Sequence, residues 1–230
     1  MHEDVLKIQD VSRIYSTDGL KVNALRSVSL SIKGSEFTAI AGPSGSGKTT
    51  LLNIMSGLDT PTSGNVMLGG KPINTMKGSE LSDFRRDHIG FIFQSYNLIP
   101  VLSVKENIEY IMLLQGISED ERRTRVASIL EQVGIEGMEE RLPRQLSGGQ
   151  QQRVAVARAM VSKPDIILAD EPTANLDSAT GASLLDMMRE LNEARGMTFV
   201  FSTHDTMIMD RARRLVILKD GKVARDEVRK

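Results

Sequence analysis

The 230-residue chain contains no cysteine. Disulfides, thiolate metal sites and thiol-based catalysis are therefore excluded. Histidine is scarce: His2, His88 and His204 are scattered, so a zinc site would have to combine them with Asp or Glu. An excess of one charge is also missing. Lys and Arg total 29 against 30 Asp and Glu, which gives no argument for nucleic acid or an anionic membrane surface as partner. No apolar run approaches the roughly 20 residues that span a bilayer. The opening MHEDVLKIQD is acidic and lacks an apolar centre, so it does not read as a secretory signal. A soluble, cytoplasmic chain is expected, long enough to bury a core of its own. Any membrane association must come through a partner. There is no internal repeat, low-complexity tract or clear linker.

Period-two alternation marks VSLSI (28–32), VMLGGKPI and HIGFIFQ, where Ile89, Phe91 and Phe93 share one face. It predicts an antiparallel sheet beside the main core. FTAIAG, IILAD and TFVFST are short apolar runs, as in parallel strands buried on both faces. RLVILKDGKVA reads as a strand, an Asp220-Gly221 turn and a return strand. Ser118 and Glu121 predict a capping box for a helix whose Val126, Ile129, Leu130 and Val133 share a face before Gly134. Leu184, Met188 and Leu191 line another helix that stops near Gly196. Buried strands alternating with helices predict an α/β fold with a mostly parallel sheet. The mainly helical section from about 96 to 160 should project between two core strands as a lobe.

GPSGSGKT matches the phosphate-loop pattern in full, with a strand before it and an apolar helix after it. The loop of Gly42, Pro43, Ser44, Gly45, Ser46 and Gly47 would curl so that its backbone N–H groups, which Pro43 alone lacks, face phosphate. Lys48 would reach the β- and γ-phosphates, Thr49 would hold Mg²⁺, and Thr50 continues the cradle. IILADEP ends a strand in two acids. Asp170 is placed for Mg²⁺, and Glu171 for taking a proton from an attacking water. Taken singly, Gln94 is a polar strand end, His204 a hydrogen-bonded structural residue and Tyr15 packing. Together with the loop and the acids they form a set. A second anion cradle follows at LSGGQ, where Ser147, Gly148, Gly149 and Gln150 open a helix. One chain thus holds two phosphate cradles and a single set of catalytic acids.

In this order the motifs resemble the nucleotide-binding subunit of ATP-binding cassette (ABC) transporters over nearly the whole chain. Tyr15 in RIYS is similar to the adenine-stacking loop, GPSGSGKT to Walker A and Gln94 to the Q-loop. LSGGQ matches the family signature, which is far more specific than Walker A. IILADE is similar to Walker B with its catalytic glutamate, NLD with Asp177 to the D-loop, and STHD with His204 to the switch loop. FIFQSYNLIP and ADEPTANLD most resemble the lipoprotein-releasing and macrolide-exporting branch.

The resemblance implies a P-loop NTPase core with a mostly parallel sheet, an antiparallel β subdomain and a helical subdomain, all one domain over 1–230. It implies ATP and Mg²⁺ as cofactors, with Thr49, Gln94 and Asp170 at the metal and Glu171, His204 and Gln94 at the reaction. The implied partners are a second copy across two shared ATP molecules and a separate membrane permease contacted from Gln94 to Val104, with no nucleic acid. The chain would sit on the cytoplasmic side of the inner or plasma membrane, driving extrusion of a lipoprotein, peptide or macrolide-type substrate. In such a dimer the second cradle serves the partner's ATP. The alternatives are mechanotransmission without transport, a soluble repair or translation ATPase, and a nucleotide sensor. The absence of coiled-coil insertions and of a second cassette counts against the repair and translation readings, and Glu171 against the sensor.

Overall fold

The computed structural model describes residues 4–17 and 20–229, so His2 and Lys230 lie outside the described residues. β1 (Asp4–Thr17) and β2 (Leu20–Lys33) pair antiparallel. β3 (Phe37–Ala41) leads into the phosphate loop and α1 (Lys48–Met55). β4 (Ser63–Leu68) and the short β5 (Lys71–Pro72) complete a four-stranded antiparallel sheet in the order β2-β1-β4-β5. After α2 (Gly78–His88) comes β6 (Ile89–Ile92). Three helices follow: α3 (Val104–Leu114), α4 (Glu119–Val133) and α5 (Gly148–Met160). The chain then alternates β7 (Ile166–Asp170), α6 (Ser178–Arg195), β8 (Phe199–Thr203) and α7 (Thr206–Arg211). It finishes on the hairpin β9 (Arg214–Lys219) and β10 (Lys222–Val228). The second sheet runs β10-β9-β3-β8-β7-β6, parallel except for β10.

Buried parallel strands need apolar residues on both faces, and these have them. Phe37, Ala39, Ala169, Phe199 and Phe201 face a core shared with α3, α4, α5 and α6. Ile40, Ile166, Leu168, Val200 and Val216 face the opposite core, built with α1 and the antiparallel sheet. The Phe37 ring lies 4.7 Å from that of Phe201 and 5.8 Å from that of Phe199. Each such buried ring contributes roughly 1.5–3 kcal/mol.

Two sequence expectations are corrected. HIGFIFQ does not join the antiparallel sheet; β6 pairs parallel with β7, Gly90 beside Ile167 and Ile92 beside Ala169. It is one of the sheet's two edge strands, with Gly90 and Ile92 buried and Ile89 and Phe91 half-exposed. Partial cover of one face produces period two in a parallel strand as readily as in an antiparallel one. The capping box at α4 does not form either. Ser118 has the N-cap backbone but makes no side-chain cap bond, and Glu121 turns instead to Arg125 one helical turn on. Capping boxes stand at Ser103 with Glu106 and at Ser147 with Gln150.

Candidate active site

Because β3, β6, β7 and β8 are parallel, their carboxyl ends share one edge, where open α/β sheets hold their ligands. The phosphate loop leaves β3, Gln94 lies just past β6, Asp170 ends β7, and His204 follows β8. A cavity of about 770 Å³ opens there, lined by Tyr15, Pro43, Ser44, Gly45, Gly47, Lys48, Thr49, Thr50, Gln94, Glu171 and His204. Val22, Asn23 and Ala24 complete the wall. That volume lies within the range of small-molecule and cofactor sites.

The loop is shaped around the approach of another strand. Gly47 sits at φ +101°, and a Cβ there would fall 2.5 Å from the Ala24 carbonyl oxygen. It is the N-cap of α1 yet brings no capping side chain, so the first amides of the helix remain for an anion. Ser46 is buried with no partner for its hydroxyl. The Lys48 ammonium donates to the carbonyls of Gly42 (2.8 Å) and Pro43 (3.1 Å). Thr49 donates to Asp170 Oδ1 across 3.3 Å, joining loop and strand end. Among the described residues no three His, Cys, Asp or Glu side chains form a metal cage. The small set Thr49, Asp170 and Gln94 suits a hard ion that takes most of its oxygens from phosphate and water.

Glu171 adopts φ +46°, a left-handed conformation rare for a non-glycine residue. Such backbones cost of order 1–3 kcal/mol and persist where surroundings impose them. Here the Glu171 N–H donates to the Ser202 carbonyl on β8 at 2.9 Å. The carboxylate then reaches across β8: Oε2 accepts from the Thr203 hydroxyl at 3.1 Å, and Oε1 lies 2.7 Å from His204 Nδ1. Glu171 is 13% exposed and His204 71%. A sheltered carboxylate thus borders the cavity, with an imidazole on its solvent side.

The signature residues and Asp177 do not line this cavity. Ser147 caps α5: its hydroxyl accepts from the Gln150 N–H at 3.3 Å, and its own N–H donates to Gln150 Oε1 at 2.9 Å. Gly149 lies against α6, where a Cβ would stand 2.4 Å from the Thr180 methyl. Asp177 caps α6 by accepting from the N–H groups of Ala179 and Thr180 and from the Thr180 hydroxyl at 2.6 Å. That hydroxyl, first among its partners, holds the Asp177 carboxyl below its usual pKa.

The apolar run after Gln94 divides. Leu98 packs on the core and Val104 is buried, whereas Ile99 and Val101 are exposed, Val101 at 78%. Ile99 borders a second groove of about 240 Å³ with Phe93, Asn97, Tyr110 and Arg158. Arg158 of α5 donates to the Tyr96 and Asn97 carbonyls, both residues having positive φ. Burial lowers the Arg158 pKa. Sequence reasoning missed Val22, which pairs with Tyr15 across β1 and β2. The alternation of Leu20, Val22 and Ala24 along the partner strand was the available signal. It also missed Arg13, Asp59 and Thr203, single polar residues whose roles depend on distant neighbours.

A family model described as ABC transporter matches residues 25–174. An uncharacterised ABC transporter ATP-binding protein of Methanocaldococcus jannaschii, MJ0796, is 45% identical over 230 residues, 97% of each chain. The macrolide export ATP-binding/permease protein MacB of Hyphomonas neptunium is 43% identical over 226 residues; these are 98% of this chain but 35% of that protein. Among solved structures, the dimeric post-hydrolysis state of the MJ0796 cassette bound to ADP and Pi superposes with a TM-score of 0.90 at 44% identity. That match covers 98% of this chain and 99% of the other.

Proposed function

The chain belongs to the ABC transporter family, and from that premise we propose how its residues divide the work of an ATP-hydrolysing subunit. It is an ABC ATPase, with ATP as substrate and hydrolysis as reaction. Residues 1–230 act as one ATPase unit, with the helical section of about 96–160 as its lobe. Tyr15 and Val22 receive the base. The loop amides, Lys48, Thr49 and Thr50 hold the phosphates, and Thr49, Asp170 and Gln94 would hold Mg²⁺. The chemistry that ion would supply there is neutralisation of phosphate charge. Glu171 orients the attacking water and takes its proton. His204, on the solvent side of that carboxylate, steadies it and the γ-phosphate. Catalysis is then mainly positioning and charge neutralisation.

The observation that carries this reading is the separation of the two cradles. Lys48, Glu171 and His204 share one cavity, while Ser147, Gly148, Gly149 and Gln150 lie outside it. The signature therefore serves the ATP of a second copy, with Asp177 beside the shared interface. Two chains close head to tail on two nucleotides, and hydrolysis reopens them. The exposed Ile99 and Val101 with the Arg158 groove support a permease docking surface from Gln94 to Val104. Among the described residues no helix is long and apolar enough to cross a membrane. By its likeness to the macrolide export ATP-binding/permease relative, the chain works from the cytoplasmic face of the membrane through a permease that extrudes a lipoprotein, peptide or macrolide-type substrate.

Complementation by mixing tests the shared site. Lys48→Ala damages the phosphate loop and Ser147→Arg the signature, so each homodimer is damaged at both sites. A mixed dimer has one site assembled from the two intact halves. The mixture should hydrolyse ATP, or trap one ATP per closed dimer, when neither variant alone does. A mixture that does neither counts against sharing.

A further inference from the structure

Tyr15 is held more firmly than a half-exposed strand residue needs. Its hydroxyl donates to Asp59 Oδ2 at 2.7 Å. The Arg13 guanidinium lies over its ring, 4.5 Å from the centroid, a cation–π distance. Arg13 also pairs with Asp59 Oδ1 at 2.7 Å, closing a three-residue ring of contacts. Neither Arg13 nor Asp59 lines the nucleotide cavity; Tyr15 does. One face of the phenol is thus covered by a cation away from the cavity.

Asp59 is anchored in turn. Its Oδ1 accepts from the Thr60 N–H at 2.7 Å, and its own N–H donates to the Asn53 carbonyl at 3.1 Å. Asn53 belongs to α1, the helix that begins at Lys48. A single residue therefore connects the two: the Asp59 carboxylate holds the ring on the antiparallel sheet, and the Asp59 backbone N–H bonds the helix that follows the phosphate loop. A nucleotide must touch both at once, so the span between them matters for its binding.

We propose that Asp59 and Arg13 are positioning residues for nucleotide binding. They set the plane of Tyr15 and its distance from the phosphate loop, leaving one ring face for the base of the nucleoside triphosphate. This rests on reading Tyr15 as the base platform. A ring fixed before binding loses no rotational freedom when the base arrives, and preorganisation of this kind is read as affinity. A clamp that served only folding would change stability and leave KM for ATP unmoved.

The test uses the full chain, with KM for ATP and kcat measured for Tyr15→Ala, Asp59→Ala, Asp59→Asn, Arg13→Gln and the Tyr15→Ala/Asp59→Ala pair. Tyr15→Ala should raise KM about tenfold. Asp59→Ala should raise it roughly three- to fivefold, with kcat moving by less than twofold. Asp59→Asn, which still accepts the phenol proton, should fall between Asp59→Ala and wild type. On the Tyr15→Ala background, Asp59→Ala should add nothing. If Tyr15→Ala leaves KM unchanged, the platform reading fails and the proposal with it. If Tyr15→Ala raises KM but Asp59→Ala does not, or if the two effects multiply, the positioning proposal alone is overturned. Should Asp59→Ala melt below the assay temperature, Arg13→Gln decides by the same criteria.

Discussion

α1 and α5 both begin at glycine-served turns, yet they leave different groups free. At α1 the N-cap is Gly47, with no capping side chain, and the helix start opens on a cavity carrying a lysine. At α5 the N-cap is Ser147, whose hydroxyl already accepts the Gln150 N–H while Gln150 caps the Ser147 N–H in return. Uncapped amides at a helix start bind an anion, and a neighbouring cation strengthens that seat. The first cradle has both. The second keeps the amides of Gly148 and Gly149 and the proton of the Ser147 hydroxyl, enough to touch a phosphate already held elsewhere. Two similar motifs thus differ in completeness, and this favours one being the seat and the other the lid.

Glu171→Gln gives the largest expected effect. Removing the proposed base while keeping size should cut turnover by roughly 10²–10⁴ and leave ATP binding intact. Both cradles would then be held on unreacted nucleotide. Size-exclusion chromatography with Mg-ATP should show a dimer for the variant. Turnover at the wild-type rate would remove Glu171 from the reaction.

Gly149→Ala attacks the second cradle through packing. The new methyl meets the Thr180 methyl, and overpacking of this kind costs about 1–3 kcal/mol. Thermal melting should fall accordingly, and turnover with it. Thr180→Ser deletes that methyl and keeps the hydroxyl bonded to Asp177, so the double variant should recover. Failure to recover would place the damage elsewhere.

A smaller effect concerns pH. Asp177 has its folded pKa depressed, first by the Thr180 hydroxyl, whereas an unfolded Asp titrates near about 3.9. Its contribution is therefore complete above that value and is lost as pH falls through the lower folded pKa. Asp177→Asn should narrow the stability difference between pH 7 and pH 3 in denaturant titrations. An unchanged difference would show that the cap does not report on pH. The smallest change in the isolated chain is expected at Val101, whose side chain is exposed. Val101→Glu should shift stability by no more than about 0.5 kcal/mol while abolishing co-purification with a membrane partner. Partner capture at the wild-type level would move the docking surface elsewhere.

Much of this molecule was legible in order along the chain. The runs FTAIA, IILAD and TFVFST are short, apolar and followed by turn or polar residues, and all three are central strands. HIGFI misled because alternation reports how much of a strand is covered, not which neighbour it pairs with. Ser118 and Glu121 misled because a capping motif competes with any basic residue one turn away.

By itself, then, the sequence determined the residue types of the site: a phosphate loop, two acids at a strand end, a glutamine, a histidine and a second glycine cradle. Local chemistry suffices for these, since each motif depends on spacings of a few residues. Only the tertiary structure decided which of them meet. Parallel pairing brought the carboxyl ends of β3, β6, β7 and β8 to one edge and placed Lys48, Gln94, Glu171 and His204 around one cavity. The packing of α5 against α6 set Ser147 apart from them, and the contact between Asp59 and Tyr15 joined residues 44 positions apart. Such neighbours are chosen by which apolar faces bury one another, and that choice is made by the whole chain at once.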